Sequence, residues 1–279
     1  MKRYIPFFAG VLLFIGCEDV VEIDTPTEPP RLSVDALIRI DESEPITDVV
    51  VKVNLTSSFF GDTEAADLDE IRILNPDYIS TGPSDENFIA LTETGAGRYE
   101  ASKNTSFFTK GALELSITYG GNRYLATTTY VPTVPIDKLV QGDGQLFTSD
   151  ETEILVAFTD NAAREDFYLF DFDFNEYLVT DDGFYQGQTF EFSYFYNEDV
   201  KPGMEINIDI LGIDESFYNY MNQLIVQAGG DQGPFQTPSA TVRGNIMNVT
   251  NGDTIENRND FALGYFAICQ TFRKSIEIE

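Results

Sequence analysis

The residue with the most definite chemistry is Cys17, at the end of Leu12-Leu13-Phe14-Ile15-Gly16-Cys17-Glu18-Asp19. Lys2 and Arg3 make a basic start, Ile5 to Ile15 is almost wholly apolar, and Gly16 supplies a small residue before the thiol. That order is the one lipoprotein processing acts on: Cys17 is acylated, the bond before it is cut, and it becomes the mature N-terminus. A membrane-spanning helix needs about 20 apolar residues, and this run falls well short of that before Glu18 and Asp19 interrupt it. A leader cleaved without lipid ends in a small-x-small pattern, which Phe14-Ile15-Gly16 lacks. Residues 1–16 therefore read as a lipoprotein signal peptide. The expected prosthetic group is a covalent lipid on Cys17, palmitate among its acyl chains, and no other cofactor.

Elsewhere the residue types restrict chemistry more than they suggest it. The chain has no histidine. This removes Ser-His-Asp and Cys-His nucleophile activation and the usual zinc and non-haem iron ligand sets. The second cysteine, Cys269, sits in Ala267-Ile268-Cys269 and reads as a small buried hydrophobe, with no thiol left to pair with once Cys17 carries lipid.

Carboxylates remain. Residues 165–199 hold ten acids and thirteen Phe or Tyr with no Lys or Arg. Asp160, Asp171, Asp173, Asp181 and Asp182 are hard oxygen donors of the kind calcium takes. No D-x-D-x-D-G loop wraps them, however, and Asp171 and Asp173 alternate along a strand. The favoured reading is a hairpin with rings inside and acids in water, and no metal site is expected. Tyr185, Tyr194 and Tyr196 could instead be stacking platforms for a glycan, though alternating Phe and Tyr more often mark a buried sheet face. A glycoside hydrolase needs two acids facing each other across a cleft, roughly 5–10 Å apart. With 47 acids in the chain some such pair is unavoidable, so this remains a remote alternative and a non-enzyme is expected.

The elements that must position these residues are strands. Leu32, Val34, Ala36 and Ile38 alternate with Ser33, Asp35 and Leu37, and Val49, Val51, Val53 and Leu55 repeat the pattern. Leu113 to Tyr119 is the cleanest period-two run; Gly120-Gly121-Asn122 turns it into a Thr-rich strand ending at Val131. Ile154 to Phe158, Phe167 to Phe174, Phe190 to Tyr196 and Met204 to Ile210 continue the alternation, with Tyr168, Phe170, Phe172 and Phe174 on one face. Val242 to Val249 and Ala262 to Phe272 are expected as terminal strands. One segment has helical spacing: Phe217, Met221, Leu224, Ile225 and Ala228, with Asp214 to cap its start and Gly229-Gly230 to end it.

The expected fold is all-β: two tandem immunoglobulin-like or fibronectin-like sandwiches with one short helix near 214–228 in the second. The divisions are a signal peptide (1–16), an acidic proline-rich tether (17–31), an N-terminal sandwich (32–132) and a C-terminal sandwich (136–279). A net charge of −30 would repel nucleic acid and anionic lipid surfaces.

Several short motifs, in order, resemble a family of Bacteroidota lipoproteins known as domain-of-unknown-function family 4249. They are Cys17-Glu18-Asp19 with Glu22-Ile23-Asp24, Arg31-Leu32-Ser33-Val34-Asp35-Ala36, Tyr218-Asn219-Tyr220-Met221, Pro234-Phe235-Gln236-Thr237-Pro238, Val242-Arg243-Gly244-Asn245-Ile246 and Leu263-Gly264-Tyr265-Phe266. The resemblance implies a lipoprotein of the outer membrane facing the cell exterior, anchored by its lipid and associated with a TonB-dependent β-barrel receptor. The family has no assigned reaction; the expected role is a non-enzymatic accessory or adaptor in nutrient uptake, with a glycan- or nutrient-binding module as the alternative. Glu18, Asp19 and Glu22 look like the surface-export signal of such proteins. Asp253-Thr254-Ile255 resembles the Asp-Thr-apolar sequon for O-glycosylation at Thr254.

Overall fold

In the computed structural model the described residues are 29–57, 61–80, 82, 85–145, 151–196, 200–229, 240–252 and 259–279. Cys17, Glu18, Asp19, Glu22 and Thr254 lie outside them, as do the leader, most of the tether and the motif from Pro234 to Pro238.

Among the described residues the fold is all-β with one α-helical element of several turns. Nine strands come first: β1 (Leu32–Ile40), β2 (Ile46–Leu55), β3 (Glu64–Ala65), β4 (Glu70–Leu74), β5 (Phe88–Ala90), β6 (Thr92–Gly95), β7 (Arg98–Asn104), β8 (Ala112–Tyr119) and β9 (Asn122–Val131). Next are β10 (Ile136–Gln141), β11 (Thr152–Thr159), β12 (Phe167–Asp171), β13 (Tyr177–Asp181), β14 (Thr189–Tyr196) and β15 (Glu205–Ile213). Helix α1 (Glu215–Gln227), β16 (Met247–Asn248) and β17 (Leu263–Glu277) complete the order.

In the first sandwich one layer runs β6-β7-β2-β1-β17 and the other β5-β4-β8-β9. The inward residues of the alternating strands, among them Val34, Ile38, Val51, Leu115 and Ile117, form its core. The second sandwich sets β10-β11-β14 against β13-β12-β15-β17. Its core is aromatic: Phe158, Tyr168, Phe170 and Phe172 are fully buried. Phe172 stacks on Tyr194 at 3.8 Å, and Tyr185 stacks on Phe190 at 4.4 Å.

Both sandwiches use the last strand. Residues Leu263–Gln270 of β17 pair in parallel with Ser33–Ile40 of β1. Thr271–Glu277 then pair antiparallel with Glu205–Leu211 of β15. The segment 136–279 is thus not confined to the second sandwich, because Ile246, Ala262, Phe266 and Ile268 belong to the first core. Two short motifs make this insertion. Gly264 has φ +96, and a Cβ there would lie 1.8 Å from the Val34 carbonyl oxygen; one on Gly244 would lie 1.6 Å from the Gly264 carbonyl oxygen. Only glycine lets three backbones approach so closely. Beside them, the Asn245 side chain accepts the Phe266 N–H at 2.9 Å and donates to its carbonyl at 2.8 Å, replacing a strand partner.

Two expected elements are shorter than their patterns suggest. Val242–Val249 is a strand only at Met247–Asn248, since Asn245 supplies side-chain rather than backbone pairing. The face begun by Tyr168 ends at Phe172: Asp173, Phe174 and Asn175 turn with positive φ and leave Phe174 exposed. The helix forms where expected, and the Asp214 carboxylate accepts the Phe217 N–H at 2.7 Å at its start.

Candidate functional site

Helix α1 lies on the outer face of the β12-β15-β17 layer. Phe217 and Met221 are buried against Leu211, Ile213, Ala267 and Cys269, which gives that layer packed cores on both faces. Cys269 is fully enclosed and its thiol is pushed up by burial, with Asp214 adding to the effect, so it stays protonated and unreactive.

Towards the first sandwich the helix stops short of β1 and leaves a cleft of about 590 Å³. Val34, Leu37 and Leu263 form its apolar floor, and Phe217, Tyr220, Tyr265 and Tyr177 line its walls. Tyr265 is the centre of the ring cluster, 4.6 Å from Phe217 and 5.0 Å from Tyr220. Burial raises all three phenols. Asp214 adds to the rise at Tyr265, Asp35 at Tyr220, and Asp171 and Asp35 at Tyr177. All three therefore stay neutral and keep their O–H groups as donors.

Asp35, Leu37 and Tyr177 also line a neighbouring groove of about 370 Å³, which runs over the outer face of β1, β2 and β7. Its lining is polar. Lys52 lies 3.9 Å from Asp35, Arg98 contacts Glu100 at 2.5 Å, and Asp48 accepts the Ser102 hydroxyl at 2.5 Å. Arg39 closes the groove towards the second sandwich, its guanidinium held by Asp171 and Asp209. Burial works against the Arg39 charge, but the hydrogen bond to Asp171 and the two carboxylates outweigh it and raise its pKa. Asp209, 2% exposed, also takes a bidentate pair from Arg273 at 2.7 and 2.8 Å. This cluster joins β1 of the first sandwich to β12, β15 and β17 of the second.

The acids considered for calcium do not converge. Asp171 is committed to Arg39; Asp173 accepts the Asn207 N–H at 2.7 Å; Asp181 caps the turn at Gly183; and Asp182 accepts the Asp166 N–H at 2.8 Å. Asp160 is buried and accepts the Tyr168 hydroxyl and the Gly187 N–H. Among the described residues no group of three or more His, Cys, Asp or Glu is placed to hold a metal ion. Tyr185 and Tyr196 are 6% and 1% exposed, and Tyr194 stacks on Phe172 with its hydroxyl on Glu176, so these three rings fill the core. The rings that line a concave surface come from other segments, and the sequence signal for two of them was the motif pair Tyr218-Asn219-Tyr220-Met221 and Leu263-Gly264-Tyr265-Phe266.

The family's sequence profile, described as "Domain of unknown function (DUF4249)", matches residues 18–275. The chain belongs to the DUF4249 family. In DUF4249 terms, β1, the floor of the cleft, the helix and all but the end of β17 lie inside the matched region. No curated protein matches the chain.

Among solved structures, red sea bream transglutaminase is similar at 8% identity and a TM-score of 0.22, covering 67% of this chain and 29% of that one. The FN1–FN3 domains of chicken CNTN1 are similar at 11% and 0.22, covering 66% and 60%. A DUF3823 family protein from Bacteroides ovatus is similar at 9% and 0.19, covering 66% and 91%. The chain thus spans well under half of the transglutaminase and less than two thirds of the CNTN1 fragment. These likenesses are too distant to bear on function.

Proposed function

We propose that this DUF4249 chain is a non-enzymatic lipoprotein of the outer membrane, displayed on the cell exterior through acyl chains on Cys17. It acts by contact, as an accessory or adaptor to a TonB-dependent β-barrel receptor in nutrient uptake. The observation that carries the reading is the run Leu12-Leu13-Phe14-Ile15-Gly16-Cys17-Glu18-Asp19 behind a basic start. The segment that follows, with Glu22, Asp24, Pro26, Glu28, Pro29 and Pro30, has the composition of an acidic proline-rich spacer. The non-enzymatic part is supported by where the buried carboxylates go: Asp160, Asp166, Asp182 and Asp209 each accept from a donor within the chain. Among the described residues the aromatic cleft has one carboxylate in its lining, Asp35, where a glycoside hydrolase uses two.

Isolation of the acylated chain from detergent-solubilised outer membranes tests the adaptor. The expected result is co-purification of a β-barrel receptor that survives a salt wash. Recovery of the chain without any barrel, under conditions that keep known barrel complexes intact, would contradict it.

A second reading, a ligand-binding module serving uptake directly, is favoured by the open aromatic cleft. A pre-formed concavity with rings on its walls and a few polar groups at its edge is the usual form of a small-ligand site.

A further inference from the structure

We propose that the cleft between α1, β1 and β17, together with the groove it opens into, binds a short neutral oligosaccharide. This deepens the ligand-binding reading above and rests on it.

The two concavities share Asp35, Leu37 and Tyr177 and form one path at the angle between the sandwiches. One end offers ring faces and the other paired charges, and a ligand must suit both. A wholly apolar molecule would fit the rings but strip water from Asp35 and Lys52, whose side chains are 66% and 57% exposed, and return no hydrogen bonds. An ion of either sign would unbalance the part-buried Arg39–Asp171 pair, while the solvent-screened pairs Lys52–Asp35 and Arg98–Glu100 offer neither sign an unmatched charge. A neutral polyhydroxylated chain has neither fault. Its C–H faces can lie on Tyr220 and Tyr177, and its hydroxyls can both donate to the carboxylates and accept from the ammonium and guanidinium groups. The phenol hydroxyls of the cleft add donors along the wall. A cleft of about 590 Å³ is within the size of ligand sites and suits a few sugar units.

The test is calorimetric titration of the acylated chain in detergent with cellotetraose, xylotetraose, maltotetraose, mannotetraose and chitotetraose, and with tetragalacturonate as the charged comparison. The expected result is saturable binding of at least one neutral probe and none of tetragalacturonate. Tyr220→Ala and Tyr177→Ala should each weaken that binding about tenfold or more, a loss of roughly 1.4 kcal/mol, while Tyr177→Phe retains most of it. Leu224→Glu, at a cleft residue 40% exposed, should block entry without disturbing the fold, as checked by an unchanged melting temperature. Flat titrations for all neutral probes, preference for tetragalacturonate, or binding that Leu224→Glu leaves intact would each overturn the proposal. So would binding of an aromatic-containing peptide at this site with no sugar binding. None of these outcomes touches the anchoring or receptor reading, which fails on membrane attachment and co-purification instead.

Discussion

Asp209 shows how burial changes what a carboxylate is for. In sequence it is one acid of an alternating strand, and its neighbours Asp171 and Asp173 looked like candidate calcium ligands. In the structure Asp209 and Asp171 share Arg39, and Arg273 completes the cluster. Nothing in local spacing could show this, because Arg39 is 170 residues from Asp209. Asp209→Asn should cost about 3 kcal/mol, because removing one partner leaves a half-buried guanidinium under-compensated. Arg273→Ala should cost about 1 kcal/mol or less, since that side chain is 59% exposed and its pair is solvent-screened. Urea unfolding of the two variants checks the ordering, and equal small losses would contradict the idea that Asp209 locks the sandwiches together. Cys269 was legible from its apolar setting alone. The convergence of the cleft rings was not, because Tyr220 and Tyr265 look like ordinary helix and strand aromatics until the fold brings them together.

At the scale of elements, strands with strict alternation were readable from the sequence: β1, β2, β8, β9 and β15 lie where their periods place them. So does α1, whose Asp214 cap and apolar stripe are both local signals. What periodicity misses is pairing. The Gly244-Asn245 and Gly264-Tyr265 motifs lie in segments expected as terminal strands, and no period shows that they hold β17 against β1 in parallel. The aromatic faces of β12 and β14 lead to an alkaline prediction. Burial, reinforced by Asp181, Asp160 and Asp182 and offset by the Thr180 hydrogen bond, pushes the Tyr185 phenol up from its ordinary value near 10 to about 12. Tyr168, Tyr194 and Tyr196 are raised in the same direction, burial being the main cause in each. The folded state favours the neutral phenols, so this stability is complete below pH 10 and is lost as pH climbs through the window from 10 to 12. Phenolate absorbance should therefore appear late and together with cooperative loss of the β signal. A gradual tyrosine titration centred on pH 10 with the fold intact would show that the face is open to water.

For the whole molecule, the class of fold was readable but its partition was not. Two sandwiches follow from counting alternating strands. That they share one 15-residue strand does not, since the same period runs through β17 from end to end. The shared strand and the Arg39–Asp209 cluster make the path between the sandwiches a built surface rather than a flexible joint, which is what a pre-formed cleft requires. The proposed display outside the cell depends on the other end of the chain. Cys17→Ala tests that most directly, by fractionating cells that express the full-length chain and labelling their surface with a membrane-impermeant reagent. The parent chain is expected in the outer membrane and labelled, and the variant soluble in the periplasm and unlabelled. A variant that remains membrane-bound and surface-labelled would contradict it.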